Sequence, residues 1–384
     1  MTGTDPAGLR RNPRSSNRAT LLELFFDVFY VAMFAQLSMQ FAKDPSGGGL
    51  GQTLILLLAG WWTWSTTVNA TEFYDPQLRV VQAVVAGTVF GVALMAVAVP
   101  AAYGGRGLLF AGAYVGIHLL RGILLIVALR PRRAHAREER VLFWFVLSGT
   151  LWLAGGFAGP AWRTGLWAGA LAVDYLAAGL RYPTPRRGRL PITRLSTHFG
   201  ERYQQIAILA LGELALMSTL IFSRASYTPA RAVAFLTAVV TALLFWHIYV
   251  LQSNKLVDRS AHLRPHASIL LAPYVYASVI TGIIATSGGV DLVLHDPQGT
   301  TPASWVALLT VGPVLYVLGR MSSEYVLLGQ LPPIRVAWLA LLLASTPLLT
   351  MLAPWLVMIV SAVVLVGITI TDVRRLRRAA LASD

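Results

Sequence analysis

The chain has 384 residues, of which 12% are charged and 56% hydrophobic, with a mean hydropathy of +0.62. An average soluble domain carries about 25% charged residues, so this composition excludes an ordinary soluble surface. The formal net charge is nevertheless +14 and cysteine is absent, which excludes a disulfide framework, a thiolate metal site and a thiol nucleophile.

Residues 1–20, with Arg10, Arg11, Arg14 and Arg18, read as a short cytoplasmic arm. A spanning helix needs about 20 mostly apolar residues, and such runs follow at 21–42, 50–70, 80–101, 107–129, 141–158, 161–180, 203–223, 230–251, 267–288, 302–320, 334–352 and 354–371. The first holds Glu23 and Asp27, and no small-residue cleavage site follows it, which argues against a signal peptide. The fifth and sixth are joined by Gly159 and Pro160 alone and predict a tight helical hairpin. The last two meet at Pro354 and read as two spans or as one long kinked helix. Residues 372–384 form a basic tail. Strand-type alternation is not sustained anywhere, which argues against a β-barrel. The expectation is an all-α polytopic transmembrane bundle of about twelve spans (10–12). The transmembrane domain covers 21–371, and the loop 181–202 divides it six to six, as two parallel halves would.

The thirty-one cations test that topology. With the N-terminus inside, twenty-five fall on the inner face, five (Lys43, Arg106, Arg163, Arg224, Arg231) fall outside, and Arg121 lies within the fourth run. Such a bias predicts an N-in/C-in orientation. It also argues against nucleic acid as the partner, since a nucleic-acid footprint gathers its cations on one face of a domain. The partner expected instead is a bilayer with an anionic inner leaflet.

Four stretches resemble the bacterial low-temperature-requirement A (LtrA) family. They are Glu23-Leu24-Phe25-Phe26-Asp27-Val28-Phe29-Tyr30 with Gln36-Leu37-Ser38; Trp61-Trp62 through Asn69 with Glu72, Asp75 and Arg79; His198-Phe199-Gly200-Glu201-Arg202 with Ala210-Leu211-Gly212-Glu213; and the region His262 to Gly282. Leu214 stands where the family usually has a small hydroxyl residue, and Glu72 where Asp is more usual. The resemblance implies a multi-pass protein of the bacterial cytoplasmic (inner) membrane and implies no particular activity.

Ionisable side chains in hydrocarbon cost several kcal/mol, so each needs a partner or a task. Glu23 and Asp27 share a helix face one turn apart. Arg121, His118, Asp174 and His247 fall toward the inner ends of their runs, and Asn69, Glu72 and Asp75 lie where the second run ends. Glu201 and Arg202 open the seventh run, and Glu213 lies deeper. These positions predict a polar cavity open to the inner side. The structural expectations are ion pairs from Asp27 or Asp174 to Arg121 and dipole-favoured carboxylates at Glu23 and Glu201. His118 and His247 would be hydrogen-bonded core histidines. His262 and His266 have metal-like spacing, but Pro265 interrupts the helix that would align them. The glycine pairs Gly87/Gly91, Gly112/Gly116, Gly155/Gly159 and Gly165/Gly169 predict close helix packing.

Two functional expectations follow. One is a secondary transporter, a proton- or cation-linked permease for an unidentified small molecule. It would use the carboxylates of Asp27, Glu72 and Glu213 together with Arg121. The other is an intramembrane enzyme acting from the cytoplasm on a prenyl-diphosphate or lipid-linked substrate. There Asn69, Glu72 and Asp75 would face Glu23 and Asp27 across Mg²⁺, with Arg79 and Arg121 on phosphate oxygens. Nearby aromatics such as Phe25, Tyr30, Trp61, Trp62, Trp64 and Tyr74 would line its pocket, or would form interfacial belts and helix packing. A scaffold or sensor without turnover is a third reading. The chain has no Walker-type loop, GxSxG or HExxH motif.

Overall fold

In a computed structural model, residues 19–129, 135–184, 190, 197–258, 265–329 and 331–381 are described. The arm up to residue 18, His262 and the side chain of His266 lie outside them. The order is α1 (Leu21–Lys43), α2 (Gly47–Phe73), α3 (Arg79–Ala98) with a 3₁₀ turn Val99–Ala101, α4 (Gly107–Leu129), α5 (His135–Phe157), α6 (Pro160–Gly179), α7 (Thr197–Arg224), α8 (Pro229–Asp258), α9 (Pro265–His295), α10 (Ala303–Leu328), α11 (Pro333–Leu349) and α12 (Pro354–Leu381). Every apolar run is a helix, because a segment in lipid must satisfy its backbone groups internally.

Among the described residues nine helices are long and apolar enough to cross a membrane: α1, α3, α4, α5, α7, α8, α9, α10 and α12. The helix α11 is a shorter apolar one. The last two runs are separate helices broken at 350–353, and α12 continues past 371 to Leu381. The helix α2 carries much of its polarity in threonine hydroxyls that fold back on its own carbonyls: Thr66 to Trp62 (2.7 Å) and Thr67 to Thr63 (2.7 Å). These bonds let a buried helix hold hydroxyls without orphaned donors.

The chain divides into two compact units. The first comprises residues 1–36 and 51–206. In it α3, α4, α5 and α6 pack in sequence order. Leu125 and Leu129 of α4 meet Val81 and Val84 of α3 and Ala70 at the end of α2. The α5–α6 hairpin is tied by Arg163, which is buried and donates to the carbonyls of Gly155 (2.9 Å), Gly156 (3.2 Å) and Ala158 (3.0 Å). It also reaches Ala102 (2.9 Å) and Gly104 (2.8 Å). One planar fork thus satisfies the free carbonyls at a helix C-terminus. Arg163, placed outside by the charge count, is therefore a structural clamp.

The second unit comprises residues 37–50 and 207–384, with α9 and α10 as its closest pair. A Cβ on Gly282 would lie 2.4 Å from the Tyr316 backbone nitrogen and 2.7 Å from the Gly312 carbonyl oxygen, so glycine is required there. Pro313 in α10 leaves the carbonyl of Leu309 without its helical donor, and Ser361 of α12 supplies one at 2.8 Å. Pro347 does the same to Leu343 in α11, where the Thr346 hydroxyl takes the place at 2.8 Å. Arg335 of α11 joins three helices, meeting Asp372 of α12 at 2.5 Å and Glu324 of α10 at 3.1 Å.

The glycine expectation needs correction. Gly87 and Gly91 meet Leu120 and Ile117, and Gly155 meets Trp167. Gly112, Gly116, Gly159 and Gly165 have nothing within 4 Å of a built Cβ. The spacing places two glycines on one face but does not say that a neighbour covers that face. The interfacial-belt reading also fails for Trp61, Trp62 and Trp64, which are at most 2% exposed.

Candidate functional site

The first unit gathers its buried charge where α1, α2 and the start of α7 meet. Thr20 and Glu23 form a reciprocal cap on α1. The Glu23 amide reaches the Thr20 hydroxyl at 3.3 Å, and a Glu23 carboxylate oxygen accepts from the Thr20 amide at 2.9 Å. That same oxygen, Oε2, lies 3.2 Å from Nε2 of His198. The other ring nitrogen, Nδ1, lies 3.1 Å from Oε2 of Glu72. One turn along both α1 and α7, Asp27 Oδ1 accepts from Arg202 Nη2 at 2.7 Å and from Trp64 Nε1 at 2.8 Å. Glu23, Asp27, His198 and Arg202 are each at most 1% exposed.

The two α1–α7 pairs have the same sequence separation, 175 positions. An i, i+4 pair of acids therefore matches an i, i+4 pair of basic residues in register, and α1 and α7 run parallel here. The seventh run begins earlier than the hydropathy suggested, at Thr197, which brings His198 and Arg202 onto one helical face.

The His198 geometry fixes a proton count. Two N···O hydrogen bonds need two protons, and a neutral imidazole carries one. Either His198 is an imidazolium or one of the two carboxyls holds the second proton. With that proton Glu23, Glu72, Asp27, His198 and Arg202 sum to a single negative charge, and without it to two. Glu23 Oε1 and Asp27 Oδ2 are buried without a hydrogen-bond partner among the described residues.

Asp27 thus pairs with Arg202 and not with Arg121, and Asp174 does not pair with Arg121 either. Asp174 accepts from the Tyr114 hydroxyl at 2.6 Å and from Trp152 Nε1 at 3.5 Å. Arg121 donates to Thr66 Oγ1 at 2.6 Å and lies 2.8 Å from Nδ1 of His118. His118 stacks on Phe145 at 3.9 Å. The reason is reach: α7 delivers a guanidinium to Asp27, and the α6 carboxylate is engaged by aromatic donors.

Other expected site residues sit apart. Asp75 is half-buried and accepts from the Gln77 amide at 2.9 Å, a turn-forming role. Arg79 is exposed at the start of α3. Asn69 is half-buried and makes no side-chain hydrogen bond among the described residues. Glu201 and, in the second unit, His247 are half-buried.

Glu213 belongs to the second unit and is fully buried on α7. Its Oε1 accepts from Ser38 Oγ at 2.6 Å and Ser287 Oγ at 3.2 Å, and Oε2 has no partner among the described residues. The close approach of Gly288 to the Ser38 carbonyl brings α9 against this part of α1.

Mg²⁺ binding finds little support in this donor set. Carboxylates of Glu23 and Glu72 face His198, Asp27 faces Arg202, and Asp75 serves a turn. Among the described residues no group of three His, Asp or Glu side chains is arranged to hold a metal ion. His198, Ser38 and Ser287 were not picked out as site residues from sequence, and Trp64 only as a pocket aromatic. The available signal was the His198-x-x-x-Arg202 spacing, which mirrors Glu23-x-x-x-Asp27.

The sequence profile of the bacterial low temperature requirement A protein (LtrA) matches residues 18–370. An uncharacterized protein of Rhizobium meliloti (strain 1021) is 28% identical over 383 residues, covering 97% of this chain and 94% of its own length. No solved structure matches significantly.

Proposed function

We propose that this chain, which belongs to the bacterial low temperature requirement A (LtrA) family, is a permease that moves a small solute in step with a proton or small cation. Family and apolar helices together make it a multi-pass membrane protein. The observation that carries the proposal is Glu213. Its carboxylate is fully buried, and its partners are two serine hydroxyls with no cationic side chain among the described residues. An uncompensated charge at such a place costs several kcal/mol. The group is therefore held with a proton or a small cation, as a coupling-ion carrier would be. The shared proton among Glu23, His198 and Glu72 supports the same chemistry in the first unit.

The topology proposed with it is twelve spans, N-in and C-in, in the inner membrane, with the cations at the anionic inner leaflet. The parallel course of α1 and α7 in the first unit supports this, because the first and seventh of an alternating series cross in the same direction. The Mg²⁺-dependent enzyme reading is less well supported, because its carboxylates already face His198 and Arg202.

The test is reconstitution into proteoliposomes carrying a trapped pH-reporting or sodium-reporting dye. With a mixture of small polar metabolites supplied on one side, the wild type collapses an imposed proton or sodium gradient, and Glu213→Gln does not. Unchanged collapse in the variant removes Glu213 from the mechanism and the proposal with it.

A further inference from the structure

Arg121 is the one cation that topology leaves within an apolar run, and its surroundings set a second problem. The side chain is 4% exposed, on α4, with Phe145 beside it at 5.2 Å. A guanidinium has five N–H donors and no acceptor. Here one bonds Thr66 Oγ1 and one reaches His118 Nδ1. Three donors remain, and no carboxylate pairs with Arg121 among the described residues. The acids whose fields reach it are engaged elsewhere: Glu138 accepts from the Tyr74 hydroxyl at 2.9 Å, and Asp174 from Tyr114. The remaining titratable groups around it, Tyr30, Tyr114 and Tyr182, are phenols and bring no carboxylate.

The partner atoms are themselves committed. The Thr66 hydroxyl donates to the Trp62 carbonyl at 2.7 Å, so toward Arg121 it accepts. Because arginine can only donate, His118 Nδ1 must also accept, which places the ring proton on Nε2. That Nε2 is buried without a partner among the described residues. A cation with spare donors and an N–H without an acceptor thus stand one turn apart on α4. Arginine is suited to planar, bidentate recognition of carboxylate and phosphate oxygens. A buried cation kept without a carboxylate partner is what such a ligand requires of an otherwise apolar helix.

We infer that Arg121, oriented by Thr66 and His118, is an oxyanion-binding site in the first unit that takes the carboxylate or phosphate group of a small ligand. Under the permease reading that ligand is the solute, and the solute is an anion. The binding test needs no gradient, so its failure and the failure of the permease reading are distinguishable.

The experiment titrates the full-length protein in detergent with pyrophosphate, inorganic phosphate and acetate in turn. It reads the thermal unfolding midpoint and tryptophan fluorescence. At least one anion raises the midpoint saturably, as a ligand bound only by the folded state must. Response to the phosphates alone assigns a phosphate-bearing ligand, and response to acetate a carboxylate. Arg121→Lys, which keeps the charge but loses the fork, weakens the apparent affinity at least tenfold, and Arg121→Gln abolishes the saturable shift. Arg106→Gln, at an exposed cation, leaves it unchanged. Thr66→Val retains the cation without its orienting hydroxyl and weakens affinity several-fold. It serves with Arg121→Lys should Arg121→Gln not fold. The inference is overturned if no anion gives a saturable shift in the wild type. Unaltered affinity in Arg121→Lys and Thr66→Val, or a saturable shift retained by Arg121→Gln, overturns it equally.

Discussion

Removing one member of the Asp27–Arg202 pair leaves the other charge buried and uncompensated. Both side chains are 0% exposed and the contact is 2.7 Å. Breaking a buried pair from one side costs about 3–5 kcal/mol. Asp27 would keep its bond from Trp64 Nε1 at 2.8 Å, and Arg202 its bond to Gln205 at 3.1 Å, so the lower end applies. Arg202→Gln and Asp27→Asn should each cost about 3 kcal/mol, roughly a hundredfold in the unfolding equilibrium. The double variant carries neither charge and should cost about the same as either single change. The coupling is then about 3 kcal/mol, at the upper end for contacting residues. Denaturant titration of all four proteins in one detergent measures it. Tryptophan fluorescence is a suitable readout because Trp64 is bonded to Asp27. A coupling below about 0.5 kcal/mol, the additive limit, would refute the reasoning. The 2.7 Å contact would then carry no pairwise energy.

The same measurements check three further expectations. Gly282→Ala places a methyl within 2.4 Å of α10 backbone and should lower stability by at least the roughly 1–3 kcal/mol of overpacking. Gly112→Ala, with nothing within 4 Å, should leave the unfolding midpoint unchanged. Ser361→Ala orphans the Leu309 carbonyl beside Pro313 and should cost about 1–3 kcal/mol, while Ser345→Ala, within α11 alone, costs less. Arg163→Lys keeps the charge but has three rotatable donors in place of a planar fork over five carbonyls. It should lower the thermal midpoint of unfolding, and an unchanged midpoint would mean that water replaces those bonds at no cost.

How much of this was legible differs from one residue to the next. The α5–α6 turn at Gly159 and Pro160 was readable, because two residues cannot hold a loop between long apolar runs. Glu23 as a helix-terminal carboxylate was readable for the same local reason, and it is part of the cap with Thr20. The fate of its other contacts was not. His198 reaches it from 175 positions away, and hydropathy placed the start of that helix at 203, leaving His198 in a loop. Asp27 offers a sharper case. Arg121, within the fourth run, and Arg202, at the opening of the seventh, were both cations toward the inner side, and nothing in either local sequence distinguishes them as partners. The choice depends on which helix lies beside α1.

Where the helices fall was therefore determined by the sequence itself, since each apolar run must satisfy its own backbone hydrogen bonds in lipid whatever its neighbours do. Which charges meet was decided by tertiary structure alone. Helix faces are related by packing between distant segments, and a rotation or register shift of one helix would exchange one buried partner for another without altering a residue. Arg121 shows both levels: its sequence position marks it as a cation without a topological role, and only the packing leaves it without a carboxylate among the described residues.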